Sequence, residues 1–208
     1  MFIFRTGRKM INSIKMTKKL LFFAGLLLIS FGAFAQNENE IKVYAGTSKA
    51  FIQRQIPWFG EGSIEASNFR ELGIGYSRTL LGNLGVSSGF NFSRSDILLK
   101  PAPGVEIPTR DEKFEMLSIP LIFEYTFFKY GFLAAGPLLD FQLTENNFSD
   151  QSGIGYLLGL GGKYETGNLS FSLFPNLKRH SAIPFNGTEN SKYILTELGI
   201  QLGVGVKF

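Results

Sequence analysis

Beyond residue 36 the chain alternates apolar and polar residues over long stretches. Near one end Leu198, Ile200, Leu202, Val204, Val206 and Phe208 fall on one side of an extended backbone. Glu197, Gly199, Gln201, Gly203, Gly205 and Lys207 fall on the other. Successive side chains of a strand point to opposite faces, so this pattern predicts a strand with one apolar face. The pattern returns at Leu72, Ile74 and Tyr76, and at Leu84, Val86, Phe90 and Phe92, where only Ser88 breaks it. It returns again at Leu117 to Tyr125, at Ile154 to Leu160, and at Leu169, Phe171 and Leu173. Weaker versions start at Ile41, Val43 and Ala45 and lie between Gly131 and Phe141. Eight strands are therefore predicted. Their connectors alternate in length. Gly82-Asn83, residues 127–130 and Gly167-Asn168 are tight turns, whereas residues 51–67, 95–113, 143–152 and 178–191 read as long polar loops.

Alternating strands suit a soluble sheet as well as a membrane barrel, and the polar faces decide between them. Of 17 polar-face positions on the strands around Gly85, Gly153 and Glu197, nine are Gly and only three are charged. A water-facing sheet would carry Lys, Glu and Thr there, while small residues suit the crowded inner wall of a narrow barrel. Ten residue steps from Leu198 to Phe208 span roughly 33 Å, or about 25 Å of height at a tilt near 40°. That is the height of an outer-membrane apolar band. Reversing the faces would place Lys207, Gln201 and Glu197 in lipid, at about 2 to 4 kcal/mol for a midplane Lys alone. The fold class is thus all-β, an eight-stranded antiparallel up-and-down transmembrane β-barrel. Short turns would face the periplasm and long loops the exterior. Tyr125, Phe127, Phe128, Tyr130 and Phe132, clustered around one short turn, suit an interfacial aromatic girdle.

Two assignments follow from composition. Lys18 and Lys19 precede an apolar run that ends in Ala33-Phe34-Ala35, the order of a secretory signal, with cleavage expected before Gln36. Residues 1–35 are then an address, with Met1, Met10 or Met16 as the start, and residues 36–208 the barrel. The formal charge of +4 also belongs to this address, which holds six basic residues and no acid. The remainder has 15 basic and 17 acidic residues, which removes the support for a nucleic-acid partner. Without cysteine there is no disulfide, thiolate metal site or lipoprotein anchor.

The run Phe114-Glu115-Met116-Leu117-Ser118-Ile119-Pro120-Leu121-Ile122-Phe123-Glu124-Tyr125 resembles a strand of the small outer-membrane β-barrel, or porin-family, domain of Gram-negative bacteria. Ala134-Ala135-Gly136-Pro137 and the Gly-rich 153–164 stretch continue the likeness. Ser118 stands where that pattern has Glu, and Glu124 where it has Lys. The resemblance implies barrels similar to the outer-membrane protein A and X kinds and a compartment, with no particular reaction.

Chemistry is sparse. The single histidine, His180, lies where a strand runs into the last long loop and reads as a rim residue. His180-Ser181 brings to mind lipid-modifying barrel hydrolases, but adjacent strand residues face opposite ways and no acidic orienter stands out nearby. No catalytic residue, metal site or cofactor is assigned. Gly159-x-Gly161-Gly162 precedes no helix and so is not a phosphate loop. In the predicted register Glu71, Glu124, Lys163, Glu165 and Glu197 point into the lumen, where charge must be paired. Lys163 with Glu124 or Glu165 is the expected network. Trp58, Phe59 and Leu98 are apolar residues placed outside the membrane, either as a loop surface for an unidentified ligand or as strand extensions. Phe208, an aromatic closing an alternating strand, resembles the signal read by barrel-assembly machinery. The expected role is structural or surface-interacting, without a large pore and with outer-membrane lipids as neighbours. The alternatives are a lipid-modifying enzyme on the same scaffold and a soluble periplasmic barrel carrying a small apolar ligand.

Overall fold

The computed structural model describes residues 38–54, 63–101, 108–145, 150–186 and 193–208. The proposed signal, residues 1–35, and the loop pair Trp58 and Phe59 lie outside the described residues. Within them the chain forms β1 (Asn39–Arg54), β2 (Ser63–Ala66), β3 (Phe69–Leu81), β4 (Leu84–Lys100), β5 (Arg110–Phe127), β6 (Gly131–Gln142), β7 (Gly153–Thr166), β8 (Leu169–Pro184) and β9 (Tyr193–Lys207). The short β2 pairs with β4 just beyond β3, so the two are one stave interrupted at Ser67 and Asn68. Pairing runs β1-β3-β4-β5-β6-β7-β8-β9, and β9 pairs back onto β1. All pairs are antiparallel, and the ring of eight staves closes without an exposed edge.

The register fixes the dimensions. A row of ladder partners leaves Asn39 through Arg78, Val86, Phe123, Ala135, Leu158, Leu177 and Leu198, and reaches β1 again at Lys49, ten residues on. With eight staves, that stagger tilts the strands by about 40° and leaves a bore that side chains can fill. The tight turns fall where sequence places them. Gly82 and Gly167 take the left-handed backbone, at φ of 53° and 55°, that two-residue hairpins require. Phe128 adopts φ 56° in the third turn and is almost wholly exposed there.

The strands outrun their predicted ends, so the long loops are shorter than expected. β4 and β5 stay paired from Ser95–Phe114 to Leu99–Arg110, in what sequence reads as loop. Above the level of Phe92 the faces exchange character. Outward positions become Arg94 and Asp96, and inward Ile97, Phe114, Met116 and Leu195 are fully buried. Below that level the outward positions are apolar and exposed, among them Leu72, Ile74, Phe90, Phe123 and Leu202. A wall that is greasy outside low down and wet outside higher up is one that leaves hydrocarbon for water along its length. Ser88, the exception to alternation on β4, donates to the Pro120 carbonyl at 2.8 Å beside a gap in the β4–β5 ladder. Proline offers no N–H to that ladder.

Candidate functional site

Among the described residues polar chemistry converges in the lumen, which is built in layers. At the foot, Lys163 from β7 meets Glu40 from β1 at 2.5 Å, and Ser170 donates to the same carboxylate at 2.5 Å. Lys163 also lies 3.6 Å from Glu165, which pairs with Lys207, and Lys207 reaches Glu38 at 2.9 Å. The expected partner Glu165 is thus present as a secondary contact. The expected partner Glu124 is not, because Glu40, on the strand that closes the ring, approaches Lys163 instead. Among the described residues Glu124 makes no ion pair. It lines a cavity of about 70 Å³ together with Lys42, Tyr44, Asn91, Phe132 and Phe174. Such a volume holds a few waters rather than a ligand of any size.

Small residues make this packing possible. A Cβ on Gly73 would sit 2.2 Å from the Tyr44 ring, and one on Gly205 would sit 2.1 Å from Glu40 Oε1. The glycines of the inner wall are the sockets for the long groups that fill the bore.

Above the cavity lies the main cluster. Lys178, on β8, contacts Glu71 of β3 and stands 3.7 Å from Glu197 of β9. His180, two residues further along the same face, has Nδ1 2.9 Å from Asp140 Oδ2 of β6 and Nε2 3.1 Å from Glu197 Oε1. All five side chains are buried. Neutral donors complete the carboxylates: Ser48 to Glu197 at 2.5 Å, Ser118 to Asp140 at 2.6 Å, and Asn91 to Glu71 at 2.9 Å. Seven staves contribute, so the cluster ties the wall across its bore. At the top, Phe69, Ile97, Phe114, Met116 and Leu195 form a dry cap, with the Phe69 and Phe114 rings edge to face at 5.6 Å.

Several expectations change. His180 is no rim residue: it is 2 % exposed and turned inward. Ser181 does not face the opposite way, because a bulge places it at φ 46° and the ladder partner of β7 jumps from Arg179 to Ile183 across it. Ser181 is buried too, and its hydroxyl donates to the Ser152 carbonyl at 3.3 Å. The missing acidic orienter exists in Asp140. Even so, both ring nitrogens of His180 face carboxylates, and Ser48 and Ser118 donate to carboxylates rather than to the ring. Phe132 leaves the proposed girdle for the lumen, stacked on Phe174 at 5.3 Å, while Tyr130 stacks outside on Tyr164 at 6.2 Å. Leu98 is a strand residue paired with Glu65 and Asp111, not a loop residue, since β4 continues above the belt. Phe208 is exposed at the foot of β9, with its backbone bonded in both directions to Asn39.

Asp140, Lys178 and Glu40 were not singled out by sequence. Parity was the available signal: Leu169, Phe171 and Leu173 face outward, and carrying that count through Pro175 and Leu177 turns Lys178 and His180 inward.

A closed eight-stave barrel with an apolar outer belt defines the class to which this chain is similar. The Pseudomonas aeruginosa outer membrane protein OprG superposes with a TM-score of 0.55 at 13% identity, covering 83% of this chain and 96% of that one. The outer membrane protein AlkL, solved in lipid bilayers, gives 0.49 at 17% identity over 82% and 90% of the two chains. The Yersinia pestis attachment invasion locus protein Ail gives 0.44 at 15% identity over 83% and 99%. The fold is that of the small outer-membrane β-barrels. No protein-family model and no curated protein matches the chain.

Proposed function

We propose that the chain is an integral outer-membrane barrel with a structural or surface-interacting role, whose wall carries contacts and whose bore carries no traffic. The carrying observation is the filled lumen: foot ion pairs, a small cavity, a buried charge cluster and an apolar cap follow one another along it. Eight staves with this stagger leave a bore narrow enough for side chains to fill. The outer face supports the membrane reading over a soluble carrier, since Leu72 and Leu202 in the belt each expose more than 60 % of their surface. The occupied imidazole of His180 supports a non-enzymatic role. Contacts with other surfaces then fall to the strand ends above the belt, near Leu98. Heat-modifiable migration on a gel after refolding into vesicles, with no stable conductance steps in a planar bilayer, is the expected pair of results. Migration unaffected by heating would remove the membrane reading, and large stable steps would remove the closed bore.

A further inference from the structure

The outer wall carries a feature that neither the lumen nor the loops explain. Directly above the apolar belt, Lys49 on β1, Arg70 on β3 and Arg94 on β4 all face outward and are exposed. Arg70 and Arg94 are ladder partners, so two like charges sit directly opposite each other. That arrangement is unfavourable unless an anion joins them. Thr47 is the partner of Arg70, which puts Lys49 one outward position higher on the adjoining strand.

Height follows from the stagger. Rows of partners climb about 3 Å per strand from β1 toward β4, and two residues along a strand climb about 5 Å. Relative to Thr47, Arg70 then stands about 3 Å up, Lys49 about 5 Å and Arg94 about 6 Å. The three cations form a level arc some two strand spacings wide. By the same reckoning Arg179 on β8, partner of Thr196, extends the arc past β9 at about 4 Å. Immediately beneath are Leu72, Phe92 and Leu177, and on β1 Thr47 followed by Ala45; the apolar four face hydrocarbon. On the far wall, Leu117 and Ile154 occupy the same level without charge.

Among the described residues none of the four cations makes a salt bridge. The acid nearest in register, Glu115, is the ladder partner of Arg94 and forms no ion pair with it. Lys49 Nζ lies 5.8 Å from the centroid of the Phe51 ring, so its charge rests on an aromatic face at the height where headgroups begin.

We propose that this arc binds the phosphate groups of glycolipid headgroups in the outer leaflet, with the acyl chains lying against the belt below. The inference rests on the membrane reading above. Charge complementarity selects the headgroup, and the level of the arc selects a lipid over a soluble anion. A cation near an anionic membrane surface strengthens attachment severalfold, and three acting together reach about a hundredfold.

The test uses the purified protein refolded into phosphatidylcholine vesicles that contain either bis-phosphorylated lipid A or the same lipid stripped of phosphate. After gentle detergent extraction, the lipid retained per barrel is measured. The wild type should retain at least about tenfold more of the phosphorylated form, and K49Q/R70Q/R94Q should lose the preference while keeping its heat-modifiable migration. Equal retention of both lipids, or an undiminished preference in the triple variant, would overturn the site while leaving the barrel intact. Displacement of the lipid by inorganic phosphate at matching concentration would also overturn it, since the arc would then read the free anion. A protein that never shows the folded band in plain phosphatidylcholine would overturn the membrane reading itself, and the site with it.

Discussion

At the scale of single residues, the largest energies lie where charge is buried. Lys178 is enclosed between Glu71 and Glu197, both nearly inaccessible, so removing its ammonium leaves Glu71 without its cation and Glu197 facing His180 alone. Breaking a buried pair from one side costs about 3 to 5 kcal/mol. Lys178→Met should therefore lower the urea midpoint of the folded gel band by that equivalent. Lys163→Met should cost less, about 1 to 3 kcal/mol, because it leaves the buried Glu40 with Ser170 as its remaining donor while Lys163 itself is a fifth exposed. Equal losses in the two variants would show that the mid-lumen cluster carries no special weight. Much of this was readable beforehand. Glu71 and Glu197 are buried in the bore and Glu124 lines its cavity, as alternation requires, while Glu165 stands half in water. Their pairings were not readable, because a partner across the bore depends on the stagger, and the stagger depends on every ladder register at once. Glu40 reaches Lys163 across more than a hundred residues of sequence only because β9 closes onto β1.

At the scale of elements, the strands were legible inside the belt and misjudged above it. Period two holds throughout β4, but its sense reverses between Phe92 and Ile97, and a reversal in apolar phase looks like the end of a strand. The same reversal occurs in β9, where Leu195 is inward and Leu198 outward. Once the wall stands in water it follows the rule of soluble barrels, with a dry inside and a wet outside. The bulge at Ser181 was equally hidden, since nothing in His180-Ser181-Ala182 marks a left-handed residue. Neighbouring strands are also matched in volume. Gly73 on β3 is the socket for the Tyr44 ring of β1, so Gly73→Val should cost about 1 to 3 kcal/mol by overpacking. Adding Tyr44→Ala should recover much of that loss. A double variant no more stable than Gly73→Val, judged by denaturant titration, would rule out the socket.

At the scale of the whole molecule, layers succeed one another along one axis: part-buried ion pairs at the foot, a buried charge cluster inside, and an apolar cap above. The outer wall changes in step, from apolar belt to basic arc to polar extension. Both sequences of layers assign the same side of the wall to hydrocarbon, and every other conclusion depends on that assignment. It is tested most directly by spin labels placed one at a time from Leu198 to Val206 in reconstituted bilayers, comparing collision with oxygen and with a water-soluble nickel complex. Labels at Leu198, Ile200, Leu202 and Val204 should favour oxygen, and a label at Gln201 should not, giving a period of two residues. Preferential nickel contact at Leu202 together with oxygen contact at Gln201 would contradict the barrel as described.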